Sequence, residues 1–374
     1  MTPSRGLQRG AIPWALFGML GLVAACERFC AAHELDYSAP IPASWRVAAR
    51  AARGAMGDQQ VICFGDSQVK KGLLPGILGE RLGWSVFNLA LTGGQPPSSF
   101  YLLRRLLLAG RRPDGIVIDA YPGLLASDPR INNRQWTELL TLAETLELAW
   151  QSGDGNLFGF VALARVFPSL KTRNEIRTAI RKTLWAQRND TRKEILAKQR
   201  DWWHERGAEP ADTNAQFVDA APLLEPLAPG RRWKPKQVNV RYLRKFLALA
   251  AEQEIPVFWL LHGLSPAWQA RREALKLEEP YENVVRALQS EFPNLVVVDA
   301  RHAEFDATLF ADPVHLNRKG ALLLSTRLAN VLLFYPNLAT ERPGWVMLPT
   351  DEAISRLAYS GKRRPSSRLG RTVP

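Results

Sequence analysis

The stretch "VICFGDSQVKKG", Val61–Gly72, decides how this chain is read. Four apolar residues stop abruptly at Gly65-Asp66-Ser67, and a charged, helix-compatible run follows. A short, continuous apolar run is the pattern of a strand buried on both faces. Ser67 then has two readings. It can cap a helix by accepting from a free backbone N–H of the first turn, or it can be a nucleophile. Gly-Asp-Ser alone does not choose between them, because its residues are common ones.

Working outward, strand-like apolar runs recur at Val86–Leu91, Gly115–Ala120, Ile255–Leu261 and Leu295–Val298. Helical patterns separate them: "SSFYLLRRLLLAG" after the second run and "QWTELLTLAETLELAW" after the third. "VNVRYLRKFLALAAEQE" precedes the fourth, and "RKGALLLSTRLANVLLFY" follows the fifth. Strand and helix alternating in this way predict an α/β domain with a central parallel sheet over about residues 55–335. No internal repeat is visible.

Between the third and fourth strands lies a helical insertion, residues 128–235. Its centre, Lys171–Arg206, reads as one or two basic helices with eleven Lys and Arg against five Asp and Glu. Ile176, Ile180 and Leu184 form an apolar stripe at helical spacing. This segment fits a solvated face over ordinary core contacts, a membrane surface or an acidic glycan. The Pro-rich "AAPLLEPLAPGRRWKPK" closes the insertion, and residues 336–374 form a basic tail, partly disordered in character.

The first thirty residues are a targeting or anchoring segment. Arg5 and Arg9 precede the uncharged run Ala11–Cys26, and Glu27 and Arg28 end it. At 1.5 Å per residue such a helix reaches roughly 24 Å, against a hydrocarbon core of roughly 30 Å. It spans where the bilayer thins, and its length also fits a cleaved signal. "VAAC" at Val23–Cys26 looks like a lipobox, which makes Cys26 a lipidation candidate. The two arginines place the N-terminus inside and the rest of the chain outside the cytoplasm, on a single anchor.

The 374 residues carry a net charge of +13 and are 46% hydrophobic, enough apolar material for a large core. The positive balance favours acidic partners such as anionic lipid or acidic glycan. Export argues against nucleic acid. Three cysteines, Cys26, Cys30 and Cys63, make neither a disulfide framework nor a metal-binding pair, so no cofactor or metal is expected.

In an open parallel sheet, ligands bind beyond the carboxyl ends of the strands, where Ser67 sits. A nucleophilic serine needs a base, and the base an orienting acid. The pattern Asp-x-x-His occurs three times, at Asp201–His204, Asp299–His302 and Asp312–His315. Spacing alone cannot separate them. Asp201–His204 falls in the basic insertion. His302 follows the fifth strand, near the expected rim. Asp312–His315 lies on a loop before the last helix, from which both side chains can return to Ser67.

"VICFGDSQVKKG", "NLALTGGQP" and "DPVHLNRKGALLLSTRLA" together resemble the first, second and last blocks of the SGNH/GDSL hydrolase family. The resemblance covers the sheet, about residues 58–125 and 255–333, and not the insertion. It implies a flavodoxin-like three-layer α/β/α fold, with Ser67 as nucleophile, His315 as general base and Asp312 as its orienting acid. It also implies an oxyanion hole from the N–H groups of Ser67 and of Gly93 or Gly94. One block departs from the family pattern. After the third strand stands "VIDAYPGLL", with Asp119 and Tyr121 but none of the Asn that usually supplies an oxyanion contact. Asn132 and Asn133 are the nearest substitutes. Asp119, Tyr121, His262 and His302 form the expected substrate rim, although Asp119 and His262 equally suit plain capping roles.

Membrane-anchored members that lack the full third block resemble accessory proteins of cell-envelope acylation. The expected function is therefore serine-dependent acyl-ester hydrolysis or O-acyl transfer on an envelope glycan, with an acylated polysaccharide or ester as substrate and a membrane O-acyltransferase as partner. A free-standing esterase or lipase is the enzymatic alternative. A non-catalytic glycan-binding or scaffold protein is the other.

Overall fold

The computed structural model describes residues 14–185, 188–219, 233–334 and 344–349. Six parallel strands form one sheet: β1 Val61–Phe64, β2 Val86–Asn88, β3 Gly115–Ile118, β4 Val257–Leu261, β5 Leu295–Asp299 and β6 Trp345–Met347. Their order is β2-β1-β3-β4-β5-β6. The first five follow the 2-1-3-4-5 order of one common doubly wound class. β6 lies within the stretch assigned from sequence to the tail. From residue 350 onward the tail falls outside the described residues, as do Arg5, Arg9 and residues 220–232 of the Pro-rich segment.

The continuous apolar runs are explained by burial on both faces of the sheet. Ile62, Phe64, Ile118, Trp259 and Val297 point into one core layer, and Cys63, Val117, Phe258, Leu260 and Val298 into the other. Successive side chains alternate across a strand, so both alternating sets must be apolar.

Before the sheet come α1 Trp14–Ala32 and α2 Pro40–Arg50. Around the first half of the sheet lie α3 Ser67–Gly72, α4 Pro75–Leu82 and α5 Pro96–Leu108. α6 Pro122–Leu125 follows β3, and the described residues of the insertion hold five α-helices: α7 Asn133–Leu139, α8 Leu142–Ser152, α9 Gly155–Val166, α10 Ser169–Leu184 and α11 Thr191–His204. Then follow α12 Gln237–Glu252, α13 Pro266–Ala274, α14 Glu278–Glu291 and α15 Arg318–Phe334. Helices α5, α12 and α14 pack in one layer, and α3, α4 and α15 in the other. The result is a sheet flanked by helices on both sides, a three-layer α/β/α arrangement.

The insertion is sewn to this body. Trp136 of α7 meets Trp45 of α2 edge-to-face at 5.0 Å. At its far end, the Glu209 N–H donates to Lys70 O, and the Arg318 N–H donates to Ala211 O. The stripe Ile176, Ile180 and Leu184 behaves differently from a core stripe. Ile180 and Leu184 of α10 face outward and are exposed.

α1 is long and apolar enough to cross a membrane, and none of its apolar stretch is buried against the protein. Its position near the N-terminus is compatible with a signal or an anchor.

Candidate active site

The local fold answers the question posed by Gly65-Asp66-Ser67. Asp66, not Ser67, caps α3: its Oδ1 accepts the Gln68 N–H at 2.8 Å. Its other oxygen accepts the Tyr121 N–H at 2.9 Å, tying the end of β1 to the end of β3. Ser67 is thereby freed from capping. Its hydroxyl reaches the opposite loop.

That loop, between β5 and α15, is shaped by Asp312. Asp312 Oδ1 accepts the N–H groups of Val314 at 3.0 Å and His315 at 2.9 Å, folding the chain back on itself. Asp312 Oδ2 lies 2.7 Å from His315 Nδ1, and His315 Nε2 lies 2.8 Å from Ser67 Oγ. An ionised carboxylate only accepts, so it fixes the proton on Nδ1. Nε2 then accepts from the Ser67 hydroxyl. Burial works against ionisation of Asp312. The hydrogen bond and charge of His315, with the two backbone N–H donors, outweigh it and hold the carboxyl below its ordinary value. Asn317 closes the loop: its Oδ1 accepts from Lys319 and Gly320 N–H at the start of α15, and its Nδ2 donates to Thr308 O at 2.7 Å.

Of the three Asp-x-x-His pairs, only Asp312–His315 meets Ser67. Asp299 is engaged by Arg301 at 2.6 Å and by Trp345 Nε1 at 3.1 Å rather than by His302. His302 is half exposed, with Nε2 3.6 Å from Glu273. Asp201 and His204 line a separate hollow of about 380 Å³ between α2 and α11 that includes none of Ser67, Asp312 and His315.

The hollow at Ser67 measures about 360 Å³ and is lined by Gly93, Tyr121, Gly123, Leu124, Ser127 and Val314, among others. Gly93 and Gly94 separate in role. The Gly94 N–H donates to Leu91 O at 2.8 Å and is spent. Gly94 instead allows a close approach, since a Cβ there would stand 2.7 Å from Gly65 O. Among the described residues, the N–H groups of Ser67 and Gly93 donate to no protein acceptor. The expected oxyanion contribution thus narrows from Gly93 or Gly94 to Gly93.

Asn132 does not replace the missing third-block Asn as a donor. Its Nδ2 donates to Gly93 O at 2.8 Å and to Gln95 Oε1 at 3.0 Å. Gln95 is itself oriented by donating through Nε2 to Ser127 O. Asn132 therefore props the Gly93 turn from behind. Trp45 Nε1 donates to Thr92 O at 3.1 Å and props it from the side of α2. Asn133 opens α7 and does not line the hollow.

Asp119 and His262 do not reach Ser67. They lie buried together behind α3, with Asp119 Oδ2 and His262 Nδ1 2.8 Å apart. The distance is that of an ion pair, and neither atom has a hydrogen-bond partner among the described residues. Asp119 caps no helix. Burial, then the nearby Asp119 carboxylate, push Asp66 up to about 7. Three further positioning residues escaped the sequence reading. Gln68 Nε2 donates to Val314 O at 3.1 Å, linking α3 to the loop of His315. Asn88 donates to Val69 O and Leu73 O, fixing the far end of α3. Lys70, fully buried, pairs with Glu209 of the insertion at 2.6 Å. Asn88 had one legible signal, a polar residue inside an apolar strand, which needs partners when buried.

Among the described residues no cluster of His, Cys, Asp and Glu is arranged to hold a metal ion. Among curated proteins, none matches the chain. The model of a family described as "Protein of unknown function (DUF1574)" matches residues 53–320, from the approach to β1 past His315 into α15. The match takes in well over half of the chain, which therefore belongs to the DUF1574 family.

Proposed function

We propose that the protein is a serine-dependent acyl-ester hydrolase or O-acyltransferase of the SGNH type, held at the cell membrane by α1 with its α/β domain outside the cytoplasm. The observation that carries the reading is the Ser67–His315–Asp312 relay, with distances of 2.8 Å and 2.7 Å. A serine hydroxyl keeps its proton at neutral pH and is a weak nucleophile until a neighbouring base takes that proton.

The steps follow from the positions of the groups. Ser67 Oγ attacks the ester carbonyl carbon while His315 Nε2 takes its proton. The oxyanion of the tetrahedral adduct faces the N–H groups of Ser67 and Gly93. His315 returns the proton to the departing alcohol oxygen, leaving the acyl group on Ser67. A second oxygen nucleophile then gives its proton to His315 as it attacks the acyl carbon, and His315 passes that proton to Ser67 Oγ as the acyl group leaves it. Water in that role yields hydrolysis, and a sugar hydroxyl yields transfer. Asp312 keeps the imidazole in the required tautomer and stabilises its charged form.

An acylated envelope polysaccharide and a membrane O-acyltransferase remain the substrate and partner proposed from the family resemblance. The test is covalent labelling by a fluorophosphonate, followed by product analysis with an acylated glycan. Labelling that disappears in Ser67→Ala supports the reading. A wild-type protein that does not label returns the chain to the alternative of a scaffold or glycan-binding role.

A further inference from the structure

The outer face of α10 combines exposed aliphatic side chains with exposed arginines. At 100° per residue, Leu170, Arg173, Arg177, Ile180, Arg181 and Leu184 share one side of this 16-residue helix. All six are exposed, Leu184 at 79%, and Trp185 at the helix end at 73%. The one acid of the helix, Glu175, lies on the opposite side and pairs with Arg134 at 2.7 Å. Among the described residues, Arg173, Arg177 and Arg181 have no acidic partner. The face thus offers cations and aliphatic side chains and no negative charge. Leu163 and Val166 of α9 carry exposed apolar surface up to its start.

The joint between α10 and α1 gives this face its level. The Ser169 N–H and hydroxyl donate to the two oxygens of Glu27, at 3.0 and 2.5 Å. Two residues further on, Lys171 pairs with Glu34. Glu27 is the residue at which the uncharged run of α1 ends. The first turn of α10 is thus clamped to the point where a membrane-spanning α1 leaves hydrocarbon and enters the headgroups.

We infer that α10 is an interfacial helix whose Leu170–Leu184 face lies on an anionic lipid surface beside the anchor. Aliphatic side chains and Trp185 enter the headgroup boundary, and the three guanidinium groups meet lipid phosphates. A solvated helix gains nothing from exposing Ile180, Leu184 and Trp185 together. An acidic glycan would meet the arginines but leave these side chains in water. The inference takes its geometry from the reading of α1 as an anchor, so the test reports on the two separately.

The full chain, carrying Cys26→Ser and Cys30→Ser, is spin-labelled at Leu184→Cys or at Leu20→Cys. The remaining Cys63 is buried and does not react. Each protein is reconstituted in vesicles of phosphatidylcholine alone or mixed with phosphatidylglycerol. Relaxation by oxygen is compared with relaxation by a water-soluble nickel chelate. The expected result is an oxygen-dominated label at position 184 in the mixed vesicles. It turns chelate-accessible in phosphatidylcholine alone, in high salt, and in the triple variant Arg173→Gln, Arg177→Gln, Arg181→Gln. A label at 184 that is chelate-accessible in both vesicles overturns the inference, whatever Leu20 reports. Protection of position 184 by a soluble polyuronate, with none from phosphatidylglycerol, overturns it in favour of a glycan. An aqueous Leu20 with a lipid-embedded 184 removes the anchor and leaves the interfacial helix standing.

Discussion

Ser67 Oγ and His315 Nε2 are separated by 248 positions in the chain and by 2.8 Å in space. The sheet brings them together: β1 delivers Ser67 to its carboxyl edge, and the loop after β5 returns His315 to the same edge. Ser67→Ala and His315→Ala should therefore each abolish ester turnover and probe labelling. Members of one catalytic unit are non-additive, so the double variant should be about as slow as either single one. Steady-state rates on a soluble aryl ester check this. Losses that multiply would show two independent groups. His302→Ala and His204→Ala, whose side chains lie elsewhere, should keep the wild-type rate within about twofold, as distant surface changes do.

The pH profile should identify which group sets the acid limb. His315 must be neutral to accept the Ser67 proton. Asp312, held below its ordinary value by His315 and two backbone N–H groups, stays ionised across that limb. Asp66, pushed up to about 7 by burial and then by Asp119, is a carboxyl that also ionises near neutral pH, so an acid limb that survives in Asp66→Asn reports on His315 rather than on Asp66. Asp312→Asn should slow the reaction by on the order of 10⁴-fold, through the wrong tautomer. A wild-type profile with no acid limb at all would remove His315 as the base.

The Gly93 turn supplies the third prediction. Asn132 holds Gly93 O from behind, and a misplacement of about 1 Å near the reacting atoms can cost on the order of 100-fold. Asn132→Ala should lower kcat by roughly 10- to 100-fold with little change in KM. Covalent labelling of Ser67 should slow in parallel. An unchanged kcat would mean that the Gly93 N–H carries no transition-state charge. Gly94→Ala should be worse, because its Cβ would collide with Gly65 O at 2.7 Å, a backbone atom that cannot yield without moving Asp66 and Ser67.

The legible parts of the fold and the illegible ones have different physical origins. Runs such as Val61–Phe64 and Leu295–Val298 were readable because both faces are buried, so every position is apolar. β2 proved shorter than its apolar run, because that run continues past Asn88 into the Gly93 turn. The pairing of Ser67 with Asp312–His315 was readable from order along the chain, although three identical spacings competed. The role of Asn132 was not, since a side-chain amide that props a turn looks in sequence like one that faces a substrate. Nor was the direction of the Ile180–Leu184 stripe. Periodicity shows that a helix has an apolar face, not what lies against it. The link between Lys70 and Glu209 was likewise hidden, because long-range pairs leave no local pattern.

The fourth prediction concerns the joint that couples α1, the insertion and the Gly93 turn. Glu138 of α7 is buried and accepts from Arg46 Nε of α2 and from Lys171 Nζ of α10, both at 2.7 Å. Burial works against its charge. The hydrogen bond from Arg46, then Lys171, outweigh burial and hold its carboxyl below the ordinary value. The stability from this ionised form is complete above the unfolded value, near 4.3. It is lost as pH falls through the lower folded value. Glu138→Gln leaves the half-buried Arg46 and Lys171 with Glu34 as their remaining acid, and losing a charged hydrogen-bond partner in this way costs about 1.5 to 3 kcal/mol. Calorimetry at pH 7 should show the variant melting clearly below wild type, with the two curves converging as pH drops below about 4. Because α2 also carries Trp45 against Thr92, the variant should lose ester turnover on warming before its α/β body melts. A gap that persists unchanged at pH 3 would show that Glu138 acts through packing rather than charge.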